Sequence, residues 1–122
     1  MARTVGARLA EAIAAQDALA IAECFAPDAK FRALTPPGLR EREGADEAAA
    51  LIARWFGDST ELDLVSARTD EVGDRLRVTY RFEGVEEGEP YVVEQHLFCT
   101  LNDGKIGRAD LLCSGFRPRS PS

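Results

Sequence analysis

Residues 75–83, RLRVTYRFE, alternate without a break. Leu76, Val78, Tyr80 and Phe82 fall on one face, and Arg75, Arg77, Thr79 and Arg81 on the other. A period of two marks a strand with one face buried and the other wet, as in an antiparallel sheet covered on one side. The chain is thereby restricted to folds in which another layer supplies the cover. Further on, residues 94–115 (EQHLFCTLNDGKIGRADLLCSG) read as two strands folded over Asp103-Gly104, a dipeptide suited to a two-residue hairpin turn. Residues 61–70, with weaker alternation, and residues 90–101 and 105–116 complete a meander.

The cover comes from the first half of the chain. Val5, Leu9, Ala12 and Ile13 recur at helical spacing, which predicts an amphipathic helix over residues 3–15. Asp17 is a good N-cap for a second, shorter helix presenting Ile21, Ala22 and Phe25, with Pro27 after its end. Residues 29–34 (AKFRAL) read as a short strand, which TPPG at 35–38 breaks, opening an exposed charged loop, LREREG. The clearest helix is 46–56, where Ala48, Leu51, Ile52, Trp55 and Phe56 make one stripe and Gly57 is a natural stop. The closing RPRSPS is expected to be disordered. The order α-α-β-α-β-β-β-β is an α+β layout in a single domain over 3–116. Its N-terminal helices pack on a curved antiparallel sheet that can wrap the long helix and leave a cone-shaped cavity at one end.

Composition narrows the function classes. The chain has 122 residues, enough for a real core without staples. Its net charge of −6 argues against a nucleic-acid-binding face. No stretch reaches membrane-spanning length, and Glu11 interrupts the N-terminus before any signal-peptide core could form, so a cytoplasmic location is expected. Cys24, Cys99 and Cys113 are an odd, widely spaced set with no CxxC pair. They read as small buried thiols rather than metal ligands, and no metal or redox cofactor is implied.

The element order, with AECFAPDAKFRA after the second helix and NDGKIGRADLL in the last hairpin, resembles the nuclear-transport-factor-2-like superfamily, in its SnoaL-like and ketosteroid-isomerase-like branch. The resemblance covers about 3–116 and implies a cone-shaped α+β barrel of the cystatin-like kind. The same fold hosts isomerases, cyclases, dehydratases and non-enzymes. The isomerases of the superfamily use a base carboxylate with a tyrosine and a protonated acid. Carried onto this chain, the tyrosine position falls on Leu9, the base on Ala33 and the second acid on Leu97. All three roles are empty, so the resemblance implies the fold and argues against that mechanism.

The hairpin register decides what faces the cavity. Without interruption, Gln95, Leu97 and Cys99 would share a face with Arg108, Asp110 and Leu112, and an Arg108–Asp110 pair would be an acid/base device in the pocket. Relatives of the fold commonly carry a β-bulge just after the GKI segment, and one extra residue turns Ala109, Leu111 and Cys113 inward instead. The bulged register is favoured, because it makes one apolar wall and avoids burying two charges. The pocket is then lined by Phe31, Ala33, Trp55, Val78, Tyr80, Phe82, Gln95, Leu97, Cys99, Leu111 and Cys113. Tyr80 and Gln95 are the candidate catalytic or ligand-contacting groups, unless they satisfy each other in the core. Arg40, Glu41, Arg42 and Glu43 could guard the mouth, although a solvated loop is the plainer account.

His96 has the strand parity of the outer face, which it shares with Val92, Phe98, Arg108, Asp110, Leu112 and Phe116. That mixed face suits a homodimer contact, and dimers built on it are common in the resembled superfamily. The expected protein binds a small apolar, oxygen-bearing ligand or substrate. It is either an isomerase, cyclase or dehydratase without the ketosteroid-isomerase set, or a non-catalytic ligand-binding or dimerisation module.

Overall fold

Each expected helix forms, the first two with a side-chain cap and the third from Gly44 without one. In this computed structural model, which describes residues 4–119, α1 (Val5–Ala14) opens at Thr4, whose hydroxyl accepts from the Ala7 amide at 3.0 Å. Asp17 caps α2 (Ala18–Glu23) by accepting from the Ala20 amide at 3.2 Å. In α3 (Ala45–Phe56), Ala48, Leu51, Ile52 and Phe56 are buried, with Asp46 and Glu47 in the first turn and Arg54 in the last, where they complement the helix dipole.

Among the described residues seven strands form one sheet. They are β1 (Phe25–Thr35), β2 (Gly38–Glu43), β3 (Ser59–Val72), β4 (Arg75–Glu86), β5 (Glu89–Asn102), β6 (Lys105–Cys113) and β7 (Arg117–Pro118). The order is β2-β1-β6-β5-β4-β3, with β7 beside β5. The sheet is curved and unclosed, because β2 and β3 remain edges, and the helices pack on one face of it. The architecture is the expected α+β cone, with one correction. β1 runs parallel to β6, so the sheet is mixed rather than antiparallel throughout.

Two expected irregular segments are strands. LREREG lies largely in β2, where Arg32 faces Glu41 and Lys30 faces Glu43 across the ladder. An edge strand exposed on both sides has no apolar face to announce it, and its charges discourage pairing with another chain. The tail expected to be disordered begins with β7, whose Arg117 and Pro118 pair with Val92 and Tyr91. Arg119 continues the attachment through its amide to the Pro90 carbonyl at 3.1 Å and its side chain to Glu83 at 3.6 Å. Residues 120–122 of that tail, and residue 3 at the start of the expected domain, lie outside the described residues.

The last hairpin turns where its dipeptide predicts, with Asn102 opposite Lys105 and positive φ at Asp103 (53°) and Gly104 (80°), the geometry of a type I′ turn. Just beyond it the register slips: Leu101 pairs with Ile106 but Thr100 pairs with Arg108, leaving Gly107 as the extra residue of a β-bulge. Cys99 therefore faces Ala109, Leu97 faces Leu111 and Gln95 faces Cys113.

Candidate functional site

The bulge assembles one side-chain row that crosses three strands. Tyr80 of β4 is paired with Gln95 of β5, which is paired with Cys113 of β6. Side chains directly opposite across a ladder are close enough to bond. The Tyr80 hydroxyl donates to Gln95 Oε1 at 2.6 Å, Gln95 Nε2 donates to Cys113 Sγ at 3.4 Å, and the Gly115 amide donates to the same sulfur at 3.4 Å. Tyr80 and Gln95 are fully buried. Burial pushes the Tyr80 phenol well above its ordinary pKa, so it serves as a neutral donor. No buried side-chain nitrogen or oxygen among the described residues lacks a partner.

Beside the end of this row lies a cavity of about 370 Å³. Three segments enclose it: the β1–β2 turn with Thr35, Pro36, Pro37 and Arg40; Trp55 of α3; and the stretch from Cys113 through Gly115, Phe116 and Arg117. Gly115 lets the last segment approach the first. Its φ is +87°, and a Cβ there would lie 2.8 Å from Pro36 Cγ. Phe116 packs on Phe56 and Tyr91, with ring centroids 5.3 and 5.0 Å apart. Among the described residues no carboxylate and no histidine lines the cavity.

Of the residues expected to line a pocket, Trp55 and Cys113 do so. Phe31, Ala33, Val78, Tyr80, Phe82, Gln95, Leu97, Cys99 and Leu111 are buried in the core behind it. Rings fill the space that would have opened the cone further: Phe82 stacks against Phe56 and Tyr80 at 5.3 and 5.4 Å, and Phe31 against Trp55 at 6.3 Å. Leu9, Ala33 and Leu97, at the positions of the isomerase set, are all core residues. Among the mouth residues considered, Arg40 lines the cavity, whereas Glu41, Arg42 and Glu43 do not. The sequence reading missed Phe116 and Arg117, having placed one on the outer face and the other in a free tail. The Pro-Pro turn was the available signal for the opposite wall.

Apart from Phe116, the residues expected on the outer face do not meet the cavity. Arg32 Nε donates to Asp110 Oδ1 at 2.9 Å, and Arg108 Nε lies 3.8 Å from Asp110 Oδ2. The Arg108–Asp110 acid/base device, which needed an unbulged hairpin, is thus ruled out by the register. His96 alternates with buried Gln95 and Leu97, and its ring nitrogens lie 3.4 Å from the Thr79 hydroxyl and 3.8 Å from Glu94. Val92 is half-buried, and Phe98 and Leu112 are exposed. All three cysteines are free and buried. Burial raises the Cys99 thiol to about 12, so it is protonated and poorly nucleophilic at neutral pH. Among the described residues no group of His, Cys, Asp or Glu side chains is placed to hold a metal, and no helix is long and apolar enough to cross a membrane.

Solved structures share this architecture at low sequence identity. A protein of ketosteroid-isomerase-like fold from Catenulispora acidiphila DSM 44928, crystallised with trimethylamine, superposes with a TM-score of 0.74 at 15% identity, covering 91% of this chain and 85% of its own. A protein provisionally described as a polyketide cyclase, from Xanthomonas campestris pv. campestris, gives 0.71 at 22% identity, covering 88% and 86%. One provisionally described as an isomerase, from Bacillus subtilis, gives 0.74 at 15% identity, covering 89% and 84%. No curated protein matches the sequence. The profile of the SnoaL-like domain matches residues 7–109, from the first helix to Ala109, two residues past the bulge. With that span and this fold, the chain belongs to the SnoaL-like domain family.

Proposed function

We propose that the protein binds a small, largely apolar, oxygen-bearing molecule in the cavity between the Pro36-Pro37 turn, Trp55 and Phe116. The observation that carries this reading is a concave space of about 370 Å³, within the range of small-molecule sites, walled by aromatic rings and prolines. A lining that, among the described residues, has no carboxylate or histidine favours binding over acid–base catalysis. The trimethylamine bound by one structural neighbour supports a ligand-holding role for such a fold. Native mass spectrometry of the purified protein, followed by denaturing analysis of whatever it releases, tests the reading. A retained apolar molecule supports it. A protein that carries nothing, and takes up nothing from a panel of small carboxylates, alcohols and ketones, refutes it.

A second reading is isomerisation, cyclisation or dehydration of the bound molecule. The hydrogen-bonded row from Tyr80 through Gln95 supports it, because the row ends on Cys113 at the cavity wall. Catalysis would then come from shape, exclusion of water and donors held in place rather than from a base. If a bound ligand is turned over, Gln95→Leu should abolish turnover while retaining binding. Unchanged turnover removes the row from the chemistry.

The outer sheet face fits a second copy of the chain. Leu34 and Leu112, directly paired across β1 and β6, are 51% and 54% exposed, and Phe98 is 40% exposed beside the Arg32–Asp110 pair. Apolar groups ringed by paired charges suit a self-complementary contact. Sedimentation velocity should show a dimer that Leu112→Glu dissociates. A wild-type monomer refutes the dimer.

A further inference from the structure

The charge of the cavity runs against that of the chain. The protein carries a net charge of −6, yet among the described residues the cavity is lined by two guanidinium side chains, Arg40 and Arg117, and by no acidic side chain. Among the described residues neither arginine forms an ion pair with a carboxylate, a state they share with Arg42, Arg54, Arg75 and Arg81, which do not line the cavity. Arg40 makes only a long bond of 3.4 Å, from Nη1 to the carbonyl of Leu39 beside it.

The two come from distant parts of the sequence, and the fold brings them to one opening. Arg40 lies on β2, two residues past the Thr35–Gly38 closure of the Pro-Pro turn. Arg117 is held by β7 pairing with Val92. Gly115 admits Pro36 at a distance where a side chain would collide, which holds the two segments together. The remaining wall is apolar, with Trp55, Phe116, Pro36 and Pro37.

We infer that the ligand of this cavity is an apolar monocarboxylate, its body against Trp55 and Phe116 and its carboxylate received by Arg40 and Arg117. A guanidinium presents a planar fork of donors that matches a carboxylate. The inference rests on the small-molecule reading above and adds the charge class of the ligand.

Trp55 is the single tryptophan of the chain and lines the cavity, so its fluorescence reports occupancy. 4-Phenylbutyrate and the neutral 4-phenylbutanol are titrated into the protein, with calorimetry as a second readout. The carboxylate is expected to bind about tenfold more tightly than the alcohol, a preference that shrinks as salt rises and is lost in Arg40→Gln/Arg117→Gln. Both positions are exposed, so the variant should keep its fold, which circular dichroism verifies. Arg119→Gln, which removes an arginine paired with Glu83 away from the cavity, should leave the preference unchanged. Equal binding of acid and alcohol, or equal loss in the Arg119 variant, overturns the inference while the pocket reading stands. No binding of either probe by fluorescence or calorimetry counts against the pocket reading itself, and the inference falls with it.

Discussion

Replacing Tyr80 by phenylalanine removes one oxygen from the centre of the protein. That oxygen donates to Gln95 Oε1 at 2.6 Å, and both residues are fully buried. The phenylalanine ring still fills its space, so no cavity forms. The Gln95 carbonyl is left with no donor, at a cost of about 1–3 kcal/mol. Gln95→Met strands the Tyr80 hydroxyl in the same way, for a similar cost. Making both changes removes the pair together and leaves no orphan at that bond. The double variant should therefore be more stable than the sum of the singles predicts, by roughly 1–2 kcal/mol. Urea denaturation followed by far-ultraviolet circular dichroism measures this. With a slope of about 1–3 kcal/mol per molar urea, a loss of 2 kcal/mol moves the midpoint by about 1 M. Additive singles, within about 0.5 kcal/mol, would refute the closed pair. So would a neutral Tyr80→Phe, since a hydroxyl facing a watered cavity costs little to remove. That outcome would also return Tyr80 and Gln95 to the ligand site.

Gly115→Ala places a Cβ 2.8 Å from Pro36 Cγ at a φ of +87°, so it should destabilise by about 1–3 kcal/mol and shift Trp55 fluorescence; an unchanged spectrum would mean that the mouth does not depend on this approach. The Cys99 thiol is raised from an ordinary value of 9.0 to about 12. The unfolded chain therefore loses this proton first, and the stability the group contributes is whole below pH 9 and lost as pH rises from 9 towards 12, by up to roughly 1.4 kcal/mol per unit. Urea midpoints between pH 8 and 10.5 should fall less steeply in Cys99→Ala than in the wild type; equal slopes would refute the burial argument. Asp17→Ala removes the cap of the six-residue α2 and should cost about 1 kcal/mol by the same assay, whereas no loss would mean that tertiary packing alone holds that helix.

Much of the fold was legible along the chain because its signals are local. Asp17 caps its helix by reaching an amide three residues ahead, and the RLRVTYRFE alternation states which side of β4 is buried. Asp103-Gly104 specifies its turn by the φ values it tolerates. The bulge at Gly107 was legible at one remove, because only that slip keeps Arg108 and Asp110 out of an apolar wall. β2 and β7 left no such trace. Neither buries a face, so their existence depends on partners lying elsewhere in the sequence, Phe31 and its neighbours for one and Tyr91 and Val92 for the other.

The candidate site divides along the same line. From sequence alone, one can place Tyr80, Gln95 and Cys113 on the inner face, because strand parity and a single bulge are properties of short segments. Whether that face is open space or packed interior depends on how far α3 and the ends of β1 and β6 stand from the sheet. That distance is set by the volumes of Phe56, Phe82 and Phe116 packed together and of Phe31 against Trp55, side chains that no local pattern relates to one another. Tertiary packing filled the inner face, moved the cavity outward to the Pro36-Pro37 turn, and brought Arg40 and Arg117, more than seventy residues apart in the chain, to the same opening.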